Sequence, residues 1–373
     1  MKGKRRLTAV LGIALVALLG VAACGPDDDT DTPDAATTSA GATAEGSAIE
    51  CATGSINGSG SSAQKNAMDE WVTAYEVTCP GADINYQATS SGAGRQAFIN
   101  RQVDFAGSDS AIKDDQETSA AARCTGGTVV DLPMVVGPVA IVYNLSGVNS
   151  LKLSPSTIAR IFSGAVTRWN DPAITAENAG VSLPDVAIAS VHRSDSSGTT
   201  DNFTKFLTGA GGADWTFGSG SDWKAPGGRG AQGSEGLTAT VKSTEGAIGY
   251  VELSYAENAG LSAVAVRNAA GEYVDVSSDA ASKGLSSAKI GEGADLVLTF
   301  DYTTATPGAY PVYLVSYEIV CTAGIGENGA LVKSFLAYTA SEAGQASVAD
   351  LGYAPLPPEV AARVQGVIAT LTV

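Results

Sequence analysis

Apolar side chains recur along this chain in two alternating periods. Short runs rich in Val, Ile, Ala and Tyr predict strands at Asp83–Gln87, Val103–Ala106, Pro138–Asn144, Val186–Val191 and Ala247–Val251. Between them the period lengthens. Ala67, Met68, Trp71, Val72 and Tyr75 fall on one helical face, as do Phe203, Phe206 and Leu207, and Arg95–Arg101 reads as a further helix. Strands alternating with helices indicate an α/β fold. No internal repeat of fixed period is visible.

The N-terminus breaks this pattern. Lys2, Lys4, Arg5 and Arg6 precede an apolar stretch, Leu7–Leu19, and then Val21-Ala22-Ala23-Cys24. A basic start, a short apolar run and small residues make residues 1–23 a secretory signal. The apolar run is shorter than the ~20 residues of a membrane-spanning helix. The residues before Cys24 resemble a bacterial lipobox, which implies cleavage before Cys24 and lipid on its sulfur. An ordinary signal with an incidental cysteine is the alternative. Residues 24–48 hold the lipidated cysteine and then Asp, Thr, Ala, Gly, Ser and Pro with almost no large apolar side chain. Such a segment cannot bury enough surface to fold and reads as a flexible acidic tether. The expected location is therefore the extracytoplasmic face of the cell membrane, with anchoring through Cys24.

Charge narrows the partners. The formal net charge is −17, and −21 once the four basic residues of the signal are removed. An acidic surface argues against nucleic acid. It does not exclude an anionic ligand, because net charge is screened within about 10 Å by salt, whereas hydrogen-bond donors act at about 3 Å. About 325 residues follow the tether, enough for two domains. Cys51, Cys79, Cys124 and Cys321 make an even set, which in an exported chain suggests two disulfides with three possible pairings.

Three Ser/Gly-rich loops share one context, each opening a helix. They are Gly58-Ser59-Gly60-Ser61-Ser62-Ala63, Thr89-Ser90-Ser91-Gly92-Ala93-Gly94 and Arg193-Ser194-Asp195-Ser196-Ser197-Gly198-Thr199. Unpaired N–H groups and the helix dipole favour an anion there. Glycine permits close approach and hydroxyls add donors. A single such loop is also a plain N-cap; three of one kind, one carrying Arg193, point to an oxyanion site. Arg193 can hold an oxyanion through two N–H groups, and Asp195 is placed to brace it. Asp109 ends the run Val103–Asp109. An ionised carboxylate only accepts hydrogen bonds. It suits phosphate, which keeps a proton at neutral pH, and repels sulfate, which keeps none.

Enzymatic readings find little support. The chain has one histidine, His192, beside Arg193, and no G-x-S-x-G or Walker A motif. No His/Asp cluster suits a metal, and no C-x-x-C is present. G-x-G-x-x-G occurs at Gly228–Gly233 and Gly324–Gly329. The first follows a loop. The second lies between an expected strand, Tyr310–Cys321, and an expected helix, Ala330–Tyr338, but no apolar strand runs into Asp350. Neither match supports a dinucleotide, so no cofactor is expected. Trp169, Trp215 and Trp223 read as packing residues.

As a set, these loops resemble those of the phosphate-binding proteins of bacterial phosphate ABC transporters. Three further segments are similar to that family: Ile161-Phe162-Ser163-Gly164 with Thr167-Arg168-Trp169-Asn170-Asp171-Pro172, then Gly246–Glu252, then Gly352–Pro357. The resemblance runs from about residue 53 to about residue 370. It implies a two-lobed periplasmic-binding-protein-like fold with a hinge between two α/β domains. Domain one would hold residues 49–140 and 311–373, and domain two residues 141–310. It also implies phosphate contacts from Ser62, Ala63, Ser90, Asp109, Arg193, Ser197, Gly198 and Thr199, with Asp195 in support. Ser62-Ala63 departs from the family's usual Thr-Phe, and Ser196 stands where Gly is common. With Cys124 and Cys321 placed in one domain, the expected disulfides are Cys51–Cys79 and Cys124–Cys321. The implied partners are inorganic phosphate, the permease subunits of an ABC transporter and, through the lipid, the membrane. A monomer that is not an enzyme is expected.

Overall fold

The computed structural model describes residues 49–373. The signal, Cys24 and the tether lie outside the described residues. The main strands are β1 (Gly54–Gly60), β2 (Ala82–Ala88), β3 (Phe105–Ser108), β4 (Val129–Asn144), β5 (Ala189–Arg193), β6 (Arg229–Ala231), β7 (Ala247–Glu252), β8 (Ser262–Ala263) and β9 (Tyr313–Cys321). They form one nine-stranded mixed sheet in the order β2-β1-β3-β9-β4-β7-β5-β6, with β8 also paired to β4. The helices that bear on function are α1 (Lys65–Thr78), α2 (Ser91–Ile99), α3 (Gly198–Ala210), α4 (Gly233–Ser243), α5 (Leu253–Ala259) and α6 (Gly329–Thr339).

β4 organises the sheet. It is 16 residues long and every residue between its two ends is buried. Its near-continuous apolar run is what a strand covered on both faces requires. Its first half pairs antiparallel with β9, and its second half with β7. Two large apolar cores lie along it. One contains Trp71, Phe105, Val135, Tyr313 and Phe335; the other contains Ile141, Trp169, Phe203, Phe206 and Tyr250. Ala281, Leu285, Leu296 and Leu298 join the first core.

The α/β class is as expected, but several boundaries differ. The expected strand Pro138–Asn144 is the second half of β4, because Val129–Val136 is equally apolar and continues the pairing with β9. The strand expected from Val103 starts at Phe105; Asp104 instead accepts the Asn57 N–H at 2.8 Å. The strand expected from Val186 starts at Ala189, since Val186 turns back to accept from the Trp169 N–H. The strand expected from Tyr310 starts at Tyr313. The helix expected at Arg95–Arg101 is α2, which starts inside the serine loop because Ser90 caps it, and ends before Arg101, at φ 58°. Trp169 and Trp215 are buried as packing residues, and Trp223 stacks on His192 at 4.9 Å between ring centroids.

Cys51–Cys79 and Cys124–Cys321 are disulfide-bonded. The second closes a separation of 197 residues and staples the end of β9 near the start of β4. Long closures remove the most chain entropy from the unfolded state.

β9 carries a fully buried acid, Glu318, near the Gln64 side chain, whose pull toward a lower pKa is outweighed by burial. Burial pushes its pKa up to about 8 from an ordinary 4.5. The folded state thus holds a proton that the unfolded chain releases between those values. The stability gained is complete below about pH 4.5 and lost as pH rises through about 8. Thermal melts should show the wild-type Tm falling more steeply from pH 5 to pH 9 than that of Glu318→Gln. Parallel slopes would show that Glu318 is ionised throughout.

Candidate functional site

Four helix starts meet between the two cores. α1 follows Ser61-Ser62-Ala63, α2 follows Ser90, α3 follows Ser197, and α4 begins at Gly233-Ser234. The first N–H groups of a helix have no intrahelical partner. In α2 and α3 the preceding serine accepts one of them: Ser90 Oγ from Ala93 N–H and Ser197 Oγ from Thr200 N–H, each at 3.2 Å. The Gly198 and Thr199 N–H groups, just before Thr200 in the same first turn, have no intrahelical partner at the α3 N-terminus.

Asp109 stands at the centre and is 3% exposed. Its Oδ2 accepts from Ser61 Oγ at 2.7 Å and Ser91 Oγ at 3.0 Å; its Oδ1 accepts from Ser316 Oγ at 2.7 Å. Burial raises its pKa, while these three hydroxyls and then Arg193 act to lower it. A carboxylate offers about four lone-pair sites. Three hydroxyls leave one, on Oδ1, for a ligand proton. Asp109 does not cap the helix that follows it, whose N-cap is Lys113.

Arg193, 2% exposed, ends β5. Asp195 grips it with both oxygens, Oδ1 accepting from Nε at 2.9 Å and Oδ2 from Nη2. Asp195 Oδ1 also accepts the Gly233 N–H at 3.1 Å, which ties the arginine brace to α4. Burial disfavours both charges, yet the pairing outweighs it. The Arg193 pKa lies above and the Asp195 pKa below its ordinary value. Nη1 remains, donating to Ser234 Oγ at 3.3 Å and Thr199 Oγ1 at 3.5 Å. A guanidinium held on one edge presents the other to an oxyanion.

The expected residues fall on both sides of one cleft. Ser62, Ser90 and Asp109 come from elements of the first-core side, and Arg193, Ser197, Gly198 and Thr199 from the second; the Ala63 side chain, next to Ser62, packs into the second core. The sides touch directly. Ser62 Oγ lies 3.0 Å from Ser234 Oγ and accepts the Ser234 N–H at 3.1 Å. Asn202 Nδ2 donates to the Asp109 carbonyl at 2.7 Å, and Gly92 N–H to the Ser196 carbonyl at 2.9 Å. Ser196, the departure from the family loop, is accommodated by Gly92, where a Cβ would lie 2.5 Å from the Ser196 Cβ. The Ala63 N–H does not point away from the loop; it donates to Ser61 Oγ at 3.0 Å. Tyr255 and Tyr353 hold the same loop by donating to the Ser62 and Ala63 carbonyls at 2.8 and 2.6 Å.

Sequence reasoning missed Ser61, Ser91, Ser316, Ser234 and Glu252. Ser316 lies inside an apolar strand, where a β-bulge between Ser316 and Tyr317 shifts the register. Ser234 follows the Gly228–Gly233 run, which was set aside as a chance dinucleotide match but in fact runs through β6 into the start of α4. A fourth glycine run before a helix was the available signal. Glu252 is fully buried at the end of β7, where its Oε1 lies 2.6 Å from Thr199 Oγ1.

A family model described as PBP superfamily domain matches residues 37–343. A curated relative named phosphate-binding protein PstS 3, from Mycobacterium tuberculosis, is 40% identical over 365 residues, covering 96% of this chain and 97% of its own. The Mycobacterium leprae protein of that name is 44% identical over 314 residues, covering 83% and 85%. Among solved structures, the ancestral soluble variant of the human phosphate binding protein superposes with a TM-score of 0.72 at 23% identity, covering 84% of this chain and 93% of that one. A high-affinity periplasmic phosphate-binding protein bound with phosphate gives 0.68 at 23% identity, with the same coverage. These two structures support the fold.

Gly198 sets the closeness of the two sides. A Cβ there would lie 2.5 Å from both Asp109 Cβ and Ser91 Oγ. Gly198→Ala is therefore expected to hold the sides apart, read as a larger radius of gyration by solution X-ray scattering. An unchanged radius would show that the backbone absorbs the methyl group. By the model match and the extent of the curated likeness, the chain belongs to the PBP superfamily and, within it, to the PstS family of phosphate-binding proteins.

Proposed function

We propose that this protein captures inorganic phosphate outside the cytoplasm and delivers it to an ABC-type importer, closing around the anion by a hinge. The observation that carries the reading is the pairing of opposites in one buried cleft. Arg193 is braced by Asp195 to meet an oxyanion, and the acceptor-only Asp109 faces the same space. An anion without a proton would meet Asp109 as an unpaired like charge, at a penalty of a few kcal/mol. Phosphate can donate its O–H to the remaining lone pair of Oδ1. The mycobacterial relatives, named phosphate-binding proteins, agree with this ligand.

In this reading Ser62, Ser90, Ser197 and Thr199 supply hydroxyls, and Gly198 and Thr199 supply backbone N–H groups. Ala63 N–H would reach the ligand only by leaving Ser61. Domain one, residues 49–140 and 311–373, and domain two, residues 141–310, would move about β4 and the segment entering β9. Both segments run from one core into the other, as the chain also does at Ala280–Ala281 and between Leu298 and Tyr302. Lipid on Cys24 would keep the protein beside the permease subunits, and a monomer suffices for the site. Capture is the chemistry these residues support.

Isothermal titration of the chain from about residue 48, unfolded and refolded to strip copurified anion, tests the reading. One phosphate should bind tightly and sulfate hardly at all. Asp109→Asn should narrow the phosphate-over-sulfate ratio by tenfold or more, and Arg193→Lys should weaken phosphate at least tenfold, about 1.4 kcal/mol. Equal heats from phosphate and sulfate would sink the specificity argument. No heat from either, with protein shown to be refolded, would sink the ligand.

A further inference from the structure

Thr199 has one hydroxyl proton and two possible claimants for it. Its Oγ1 lies 2.6 Å from Glu252 Oε1, and Arg193 Nη1 approaches the same oxygen at 3.5 Å. A hydroxyl can donate once and accept twice. If Glu252 is ionised, it takes the Thr199 proton, and the threonine can only turn a lone pair toward an anion. If Glu252 carries a proton, that proton can be donated to Thr199 Oγ1. Arg193 fills the second lone pair, and the threonine proton is released toward the cleft.

The surroundings favour the neutral acid. Glu252 is 0% exposed, and its Oε2 has no hydrogen-bond partner. An ionised carboxylate with a bare buried oxygen is costly, whereas a neutral acid leaves far less unsatisfied. The titratable and charged groups that face it are Asp109 from the end of β3, Arg193 from β5, Tyr255 from α5 and Tyr353 near the C-terminus. Thr199 of α3 and Ser234 of α4 also lie against it as hydroxyls. Arg193 is the only cation among these, and Asp195 already occupies two of its nitrogens. Burial raises the Glu252 pKa and Asp109 raises it further, whereas the Thr199 and Ser234 hydroxyls and the charge of Arg193 act to lower it.

We propose that Glu252 is a proton-bearing positioning residue, which donates to Thr199 Oγ1 and so orients the Thr199 hydroxyl as a donor to bound phosphate. The inference rests on the phosphate reading above and adds a function for a residue that does not touch the ligand. A second consequence concerns pH. As pH rises and Glu252 ionises, Thr199 turns from donor to acceptor, and a negative charge appears beside the anion. Binding and proton retention at Glu252 are thereby linked.

Titrations with inorganic phosphate at pH 6.5, 7.5, 8.5 and 9.5 decide the matter, using wild type, Glu252→Gln and Glu252→Leu. A glutamine amide donates to Thr199 at every pH; leucine donates at none. Wild type should lose affinity relative to Glu252→Gln wherever in this range Glu252 ionises, and never gain it. At pH 6.5 Glu252→Leu should bind at least tenfold more weakly than wild type, and Glu252→Gln should recover most of that loss. A double-mutant cycle with Thr199→Val guards against a merely structural defect: the leucine penalty should largely vanish when Thr199 is absent. A Glu252→Gln variant that binds as weakly as Glu252→Leu at pH 6.5, or a leucine penalty independent of Thr199, overturns the proposal and leaves the phosphate reading intact. Failure of refolded wild type to bind phosphate at pH 6.5 overturns both.

Discussion

Withdrawing the Asp109 carboxylate from water is the constraint around which this cleft is arranged. An isolated buried charge costs several kcal/mol even after relaxation, and three serine hydroxyls meet it. Each comes from a different element: Ser61 precedes α1, Ser91 opens α2 and Ser316 lies in β9. Placing three donors around one side chain in turn dictates how those elements pack. Gly198 then brings the opposite side within a methyl group's width of the same carboxylate.

The second side answers with a cation that is equally constrained. Arg193 would be a poor anion ligand if it could swing to solvent. Asp195 removes that freedom by taking Nε and Nη2, and Gly233 N–H holds Asp195 in turn. Such a braced fork loses little side-chain entropy when it meets a ligand. The chain's strongly acidic character is compatible with this arrangement, because the charges of the cleft act over hydrogen-bond distances and the surface charges are screened.

β4 connects these local arrangements to motion. A strand buried along its length in both cores is stiff in pairing, yet it is shared by the two sides of the cleft. The chain also crosses between the cores at Ala280–Ala281 and between Leu298 and Tyr302, so a hinge would bend at those crossings as well as at β4 and β9. Several of the contacts across the cleft are single hydrogen bonds: Ser62 to Ser234, Asn202 to the Asp109 carbonyl, and Gly92 to the Ser196 carbonyl. Individually these are each worth about 1 kcal/mol net, which suits a cleft that must reopen.

Local sequence was enough for whatever depends on near neighbours. Alternating periods revealed the α/β class, and the three Ser/Gly loops before helices revealed where N–H donors gather, because capping acts over only three or four residues. Asp195 two residues after Arg193 was legible for the same reason. The family likeness supplied the cysteine pairing and the order of the lobes, which spacing alone left open among three pairings. Only the tertiary structure decided the rest. Ser316 and Glu252 sit in apolar strands, and nothing in the periods of β9 or β7 distinguishes a buried polar side chain with a partner from one without. Their partners, Asp109 and Thr199, are 207 and 53 residues away. Ser234 likewise needed α4 to be carried against Ser62, 172 residues earlier. A hydrogen bond reads distance in space, and the chain reports that distance only after the sheet has brought its strands together.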